Sequence, residues 1–529
     1  MLVHHLLEES ARRCPDRAAL VCGERRRSYA ELNSEADALA GALSARRIGR
    51  GDRVALYIDN TAEAVTGIFG ALKAGATFSL LNPSTKLNKL LTILNNFRAT
   101  ALIVDQPRAA LVNAILSSVP SLRYVVAVAS AIPAELQTDS RVQRWSDAMA
   151  ARIPHPYIAI SKDDLAMVIY TSGSTGVAKG VMAAHANVMA ATTSINAYLR
   201  NTQDDTIINV LPLSFDYGLY QLFLAFQVGA CVILERSFAY PAHVLQRIRQ
   251  EGVTGFPVVP TILSLLLHGQ RDALDLPSLR YITNTGAALP AAHIARIREL
   301  LPHVQLFSMY GLTECKRVSY LPPHELDRRP TSIGLPIPNT EVFIVDAEGQ
   351  RVADGEVGEL VVRGPHVMRG YWADPQETAK RFRPGPMPGE TVLYTGDLVR
   401  RDSDGFLYFV GRMDDIIKSR GEKVSPKEVE AVVYGLDGVV DAAVIGVPDD
   451  VLGSAIALFV SLAPGSTLTP RQIQAHCQKQ LENFMVPKVI EVWPSLPKSP
   501  QGKLDKRAIA ERFQSCRARQ AAVPGKELP

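Results

Sequence analysis

Residues Tyr170 to Gly180, reading Y-T-S-G-S-T-G-V-A-K-G, constrain this chain more than any other stretch. An apolar, β-leaning run from Leu165 to Tyr170 enters it and predicts a buried strand. An Ala-rich segment beginning near His185 leaves it and predicts a helix. Between them lie three glycines, four hydroxyl side chains (Thr171, Ser172, Ser174 and Thr175) and a single lysine, Lys179. Glycine lets the backbone turn its N–H groups around an anion, and the hydroxyls and the ammonium add donors and charge. The stretch reads as a polyphosphate cradle. It is not a Walker A loop, because Lys179 stands between Ala178 and Gly180, which G-x-x-x-x-G-K-[ST] does not allow. A Gly/Ser run can also be a flexible surface segment. Short length, a flanking strand and helix, and the one lysine favour the phosphate reading.

The chain has 529 residues, too many for one hydrophobic core, which predicts a large body and at least one smaller domain. A net charge of +4 and the lack of any basic, aromatic-interleaved tract argue against nucleic acid as a partner. The six cysteines are scattered, with no C-x-x-C pair, so neither a zinc site nor a disulfide framework is expected, and a reducing cytoplasm suits them. No export signal or transmembrane segment is expected. The start is an amphipathic helix carrying acids, and the longest apolar stretch, Val253 to Leu267, is short and broken by Pro257 and Pro260.

Up to about Pro156, and again after the cradle, helical segments alternate with short apolar strands, the pattern of parallel strands with crossover helices. From about Gly334, short strands between Gly/Asp turns predict a β-rich lobe. After Arg412 the chain reads as compact α+β, ending in a tail that is expected to fray beyond about Cys516. The fold class is therefore α/β: a large N-terminal domain of α/β sub-lobes with a β-rich lobe, plus a small α+β C-terminal domain.

Three further segments carry chemistry. Tyr310-Gly-Leu-Thr-Glu314 puts an aromatic face, a hydroxyl and a carboxylate within five residues, parts suited to a base, a phosphate and Mg²⁺. Tyr394-Thr-Gly-Asp397, followed by Gly411-Arg412, pairs a carboxylate with a cation, as ribose and phosphate would require; a surface salt bridge is the plainer alternative. Ser499-Pro-Gln-Gly-Lys-Leu-Asp505 sets Lys503 on a glycine turn. In this order, from about residue 5 to about 515, the motifs T-S-G-S-T-G-x-x-K-G, Y-G-x-T-E, Y-T-G-D, G-R-x-D-D-x-I-K and P-x-x-x-x-G-K-L-D make the chain resemble the adenylate-forming superfamily of acyl-CoA synthetases, luciferases and nonribosomal-peptide adenylation enzymes. Ala178 departs from the family's usual proline, a matter of backbone geometry.

The resemblance implies an AMP-forming acid–thiol ligase. ATP and a carboxylic acid would give an acyl adenylate and pyrophosphate, and a thiol would then displace AMP. It implies that Thr171, Ser172, Gly173, Ser174, Thr175, Gly176 and Lys179 hold the β,γ-phosphates, and that Gly286, Ala287 and Ala288 sandwich adenine with Tyr310 and Gly311. Thr313 would touch the α-phosphate, Glu314 would hold Mg²⁺, and Asp397 with Arg412 would bind ribose. Lys503 would reach the carboxylate and α-phosphate oxygens. Domains are expected at residues 1–411 and 416–529, joined by a hinge at 412–415 with Asp414 as pivot. Rotation about it would bring in Lys418 and Gly421 for the pantetheine arm.

By the same resemblance Phe215, Asp216, Tyr217, Tyr220, Pro257, Thr283, Thr285, Met309, Arg317 and Val318 line the acid's pocket. Asp216 has two readings. It pairs with the α-ammonium of an amino-acid substrate, as in amino-acid-activating relatives, or it turns away to cap the following helix. Cys315, Lys316 and Arg317 form a basic segment able to meet a second substrate carboxylate or a nearby acid, and Lys316 is expected at the surface. No carrier-protein segment follows Lys503, so the thiol is expected from outside: CoA, or the phosphopantetheine of a separate carrier protein loaded with an amino acid.

Overall fold

The computed structural model describes residues 1–172, 178–267, 274–286, 289, 291–413, 415, 417–419, 422–449, 453–483, 485–499 and 502–521. Two mixed sheets dominate them. The first has seven strands, with Arg53–Tyr57 and Thr77–Leu80 central and parallel, and ends in an antiparallel hairpin of Leu165–Ser172 with Ala178–Ala184. The second has nine. Its parallel interior runs from Gln305–Tyr310 through Tyr281–Asn284, Gly255–Val258, Thr206–Asn209 and Cys231–Leu234 to Ala18–Cys22, with antiparallel strands at both edges. The alternation of helix and strand in the sequence thus becomes parallel sheets with crossover helices.

Helices Ala62–Lys73 and Asp216–Val228 are apolar nearly all round and are buried between the sheets, as such helices must be. Phe69 packs against Phe223 and Phe226 at ring separations of 6.3 and 5.4 Å. The N-terminal segment is tied to this core from far along the chain. Leu20 pairs with Val232, the Tyr29 hydroxyl donates to the Ala230 carbonyl at 2.6 Å, and Ser10 donates to the Phe226 carbonyl at 2.6 Å.

Pro257 lies inside a central strand rather than ending one. It has no N–H to give. The ladder from Thr206–Asn209 accordingly reaches only Gly255, while the other side continues to Val258 beside Asn284. The sheet is open at that seam.

Beyond it, strands Glu341–Val345, Gly358–Arg363, Phe382–Pro384, Thr391–Arg401 and Leu407–Arg412 make the β-rich lobe, all antiparallel. A smaller α+β unit follows, built on Val439–Asp449, Gly453–Leu462 and Val489–Val492 with its own core around Val444, Phe459 and Trp493. The tail departs from expectation: helix Lys506–Ala521 continues past Cys516, anchored upstream by Ile509 and by Phe513, whose ring lies 5.2 Å from Phe459. Among the described residues no helix is long and apolar enough to cross a membrane.

Candidate active site

The Gly/Ser loop joins two antiparallel strands, not a strand to a helix. Thr171 sits opposite Lys179 in the hairpin, and helix His185–Leu199 starts only after the second strand. Residues 173–177, hence Gly173, Ser174, Thr175 and Gly176, lie outside the described residues, as does the Ser172 side chain. Lys179 is described. Its ammonium lies 2.9 Å from Glu377 and 5.6 Å above the Tyr371 ring. The lysine's hydrogen bond holds the Glu377 carboxyl below its ordinary pKa. The Tyr371 hydroxyl donates to Glu314 at 2.6 Å, and burial together with that carboxylate raises the tyrosine's pKa. Lys179, Glu377, Tyr371 and Glu314 therefore form one chain of contacts. Tyr371 and Glu377 escape sequence reasoning because they stand outside every motif.

Asp397 and Arg412 face each other across adjacent antiparallel strands, which explains why two distant motifs converge. Arg412 Nε donates to Asp397 Oδ1 at 3.0 Å, and the Tyr310 hydroxyl donates to Oδ2. Asp397 is 3% exposed; burial raises its pKa, with Arg412 and Tyr310 opposing. Gly311 lies where the chain folds back on itself: a β-carbon there would sit 2.3 Å from the Lys316 carbonyl oxygen, so no side chain fits. Thr313 and Glu314 are half-buried just beyond it.

Lys503 comes from the C-terminal unit. Its turn closes through Gly502 (φ 79°), with Ser499 N–H donating to the Lys503 carbonyl at 2.6 Å. Ion pairs on either side, Lys498 to Asp441 at 2.9 Å and Lys506 to Glu430 at 2.8 Å, hold the turn on the unit's body. The turn meets the large body at Thr261, whose hydroxyl oxygen would lie 3.0 Å from a β-carbon at Gly502. The ammonium stands 5.7 Å from the Phe215 ring centre, and a β-carbon at Gly286 would lie 3.1 Å from Lys503 Cε. Lys503 is exposed as a residue, but its ammonium is partly desolvated against the large body, which lowers its pKa; Arg412 adds to this, against the pull of Asp216, Glu314 and Asp397. One cation thus feels the carboxylates of three separate motifs. Ala287, Ala288, Asp414 and Gly421 lie outside the described residues, as does the Lys418 side chain.

Of the residues expected to line the acid's pocket, Phe215, Asp216, Tyr217 and Tyr220 lie at the start of helix Asp216–Val228. Phe215 and Tyr217 pack edge to face at 6.2 Å. The Tyr217 hydroxyl bonds Thr283, 2.8 Å from its carbonyl and 2.6 Å from its hydroxyl, while Thr285, Met309 and Val318 are buried nearby in sequence and sheet. Tyr220 is fully buried and Pro257 lines the open seam of the sheet.

Asp216 follows neither expectation. Phe215, not Asp216, is the helix cap, without a side-chain bond, and the Asp216 carboxylate is paired within the protein to Lys316 at 3.4 Å. Lys316 is consequently not a surface residue. It is 3% exposed, with its ammonium 4.4 Å from the Tyr220 ring centre and 5.5 Å from that of Tyr217. A left-handed backbone (φ 64°), uncommon for lysine, turns it inward. Burial lowers its pKa to about 7; Asp216 resists the shift and Arg317 adds to it. Arg317 is also buried, over the Tyr217 ring at 5.4 Å. An open groove of about 720 Å³ beside Asn187, Thr340 and Arg363 contains none of these residues.

The chain is similar to known proteins over nearly all of its length. The AMP-binding enzyme family matches residues 7–372, and the AMP-binding enzyme C-terminal domain matches residues 428–503. A (7a-methyl-1,5-dioxo-octahydro-1H-inden-4-yl)propanoyl:CoA ligase of Rhodococcus jostii is 32% identical, covering 96% of this chain and 97% of its own. The phosphinothricin tripeptide synthetase PhsC of Streptomyces viridochromogenes is 33% identical over 96% of this chain, which spans 45% of that protein. The crystal structure of the anthranilate CoA ligase AuaEII with anthranoyl-AMP superposes with a TM-score of 0.87 at 28% identity, covering 98% of each chain.

Proposed function

The chain belongs to the AMP-binding enzyme family, and on that premise we propose that it is an AMP-forming acid–CoA ligase. It activates a carboxylic acid as the acyl adenylate, releases pyrophosphate, and passes the acyl group to the thiol of CoA. The observation that carries this reading is that Lys503 stands against Phe215 and Gly286 and feels the charges of Glu314 and Asp397, residues of four separate motifs.

In the first step a carboxylate attacks a polyanion, so cations must be placed where charge builds up. Lys503 lies against the acid and the α-phosphate, and Lys179, with Thr171 and the intervening loop, holds the β,γ-phosphates. The Tyr310 ring packs on adenine, with Gly286 on its other side, while Asp397 takes the ribose hydroxyls, held in place by Arg412 and Tyr310. Thr313 touches the α-phosphate. Glu314 suits Mg²⁺: it gives Oε1 to Tyr371 and has no hydrogen bond to Oε2 among the described residues, leaving one hard oxygen of the kind Mg²⁺ takes together with phosphates and water. Bound there, Mg²⁺ would neutralise phosphate charge. Residues 416–529 then rotate about Asp414 within 412–415, relative to residues 1–411, which withdraws Lys503 and presents Lys418 and Gly421 to pantetheine.

Loading of an amino acid onto a carrier protein is not favoured. Asp216, the residue that would receive the ammonium, already holds the Lys316 ammonium. Pyrophosphate release over a panel of acids, followed by mass spectrometry of the products formed with CoA, tests the proposal. AMP and acyl-CoA are expected. Pyrophosphate release with no CoA thioester would overturn it.

A further inference from the structure

Resting on the ligase reading above, we propose that Arg317 receives a second carboxylate at the far end of the acid, so that the substrate is a dicarboxylic acid. Three cationic side chains are buried among the described residues: Lys73, Lys316 and Arg317. Lys73 sits between Glu8 and Asp37, and Lys316 sits on Asp216. No carboxylate among the described residues lies within ion-pair distance of Arg317, which is 2% exposed, and its Nε and Nη1 have no hydrogen-bond partner. A guanidinium keeps its charge in any protein, and burying it with two donors unmet is expensive. The neighbouring oxygens do not resolve the problem. Tyr217 gives its hydroxyl to Thr283, and the Tyr198 hydroxyl, which donates to Met309 Sδ at 3.0 Å, has room for one guanidinium N–H at most.

Position says what the missing partner is. Lys503 lies over Phe215, where the reacting carboxyl belongs, and Arg317 lies over Tyr217, the ring packed against Phe215. The two cations therefore flank one aromatic pair, and an acid lying along it presents an anion to each. Nε and Nη1 point their N–H groups along two different edges of the guanidinium, and on either edge Nη2 completes the fork that matches the two oxygens of a carboxylate, so one carboxylate meets one of the two unmet donors. An amino group on the same acid would find its counter-charge taken by Lys316.

The test compares three forms of each acid, with linear and aromatic spacers: the diacid, its mono-amide and its methyl-ended monoacid. Pyrophosphate release and CoA thioester formation are both read. Diacids are expected to exceed the other two in kcat/KM by about ten- to a hundredfold, the worth of a charge-assisted bidentate bond. Arg317→Met should bring that ratio close to one, and Arg317→Lys, which keeps the charge but not the fork, should fall between. Diacids should also raise the wild-type unfolding temperature in the presence of AMP more than monoacids do, a reading that needs no variant. Thioester formation from monoacids or mono-amides at rates equal to diacids would overturn the assignment while leaving the ligase intact. Retention of diacid preference in folded Arg317→Met, or no response to any diacid in either assay, would overturn it too.

Discussion

The Lys316 ammonium lies 3.4 Å from the Asp216 carboxylate, both residues are buried, and the ammonium also stands over the Tyr220 ring. The carboxylate expected to receive the ammonium of an amine-bearing substrate is thus paired with a lysine of the protein's own chain. Lys316→Met removes that occupant. Amine-bearing acids should then gain about ten- to a hundredfold in kcat/KM relative to wild type, because Asp216 is freed for a charge-assisted bond. Stability should fall by about 3–5 kcal/mol, the usual cost of leaving one buried charge unmatched. Adding Asp216→Asn should restore stability and abolish the gain. Pyrophosphate release on matched acids with and without an amino group, beside denaturant unfolding, checks both halves.

The same pair makes selectivity pH-dependent. The Lys316 pKa is lowered to about 7, so the proton leaves as pH rises through neutrality, and the Asp216 charge becomes available. Amine-bearing acids are still protonated there. Their rate relative to amine-free acids should rise between pH 7 and 9 in wild type and stay flat in Asp216→Asn. A flat wild-type ratio over that range would count against the pair's role.

Lys503→Ala should slow adenylation by about a hundred- to a thousandfold, the usual loss when a directed cation is removed from a developing anion. Thioester formation from a supplied acyl adenylate should be spared, because the lysine is carried on the C-terminal unit that is proposed to turn away before that step. Equal losses in both half-reactions would remove Lys503 from this assignment.

Tyr371→Phe removes the hydroxyl that fixes Glu314. The Mg²⁺ concentration needed for half-maximal rate should rise about ten- to a hundredfold, as when groups orienting a metal ligand are lost. A titration of Mg²⁺ at constant ATP reads this directly. An unchanged midpoint would mean that Tyr371 supports only packing.

Acid should unfold the protein partly through its buried histidines. Burial lowers the pKa of His185 and of His366 to about 4. The sign follows from the unfolded chain, whose histidines titrate at the ordinary 6.5. Between pH 6.5 and 4 that chain binds protons the folded state refuses, so stability present above 6.5 is lost as pH falls. The loss from each site is at most about 3 kcal/mol. Unfolding midpoints measured from pH 7 to 4.5 should decline, and His185→Gln should flatten the slope.

How much of this was legible in the sequence depends on whether a residue's task is set locally. The entry strand at Leu165, the capped helix from Ser28 and the helix from Asp216 follow from patterns a few residues long, and the strands carrying Asp397 and Arg412 from their alternation and turns. The helix beginning near His185 is legible, but the strand Ala178–Ala184 before it is not, because its alanines carry little strand preference; pairing with the preceding strand, and the bridge from Val181 to Tyr371, make it one. Lys316 could not be placed from its neighbours in sequence. Its inward turn depends on a left-handed backbone and on Asp216, about a hundred residues earlier, and only the assembled sheet brings the two together. Tyr371 and Glu377 reach the site through the same long-range route.

The pairing of Leu20 with Val232 has a consequence for how the chain is made. The first strands emerge from the ribosome with apolar faces and find their partner only about 200 residues later, which at ~5–20 residues per second is a wait of about 10–40 s. During that interval Ala19, Leu20 and Val21, later fully enclosed, are exposed on a nascent chain with an unpaired strand edge. Slowing translation before Cys231 should therefore lower the soluble yield, and a chaperone that shelters apolar segments during synthesis should restore it.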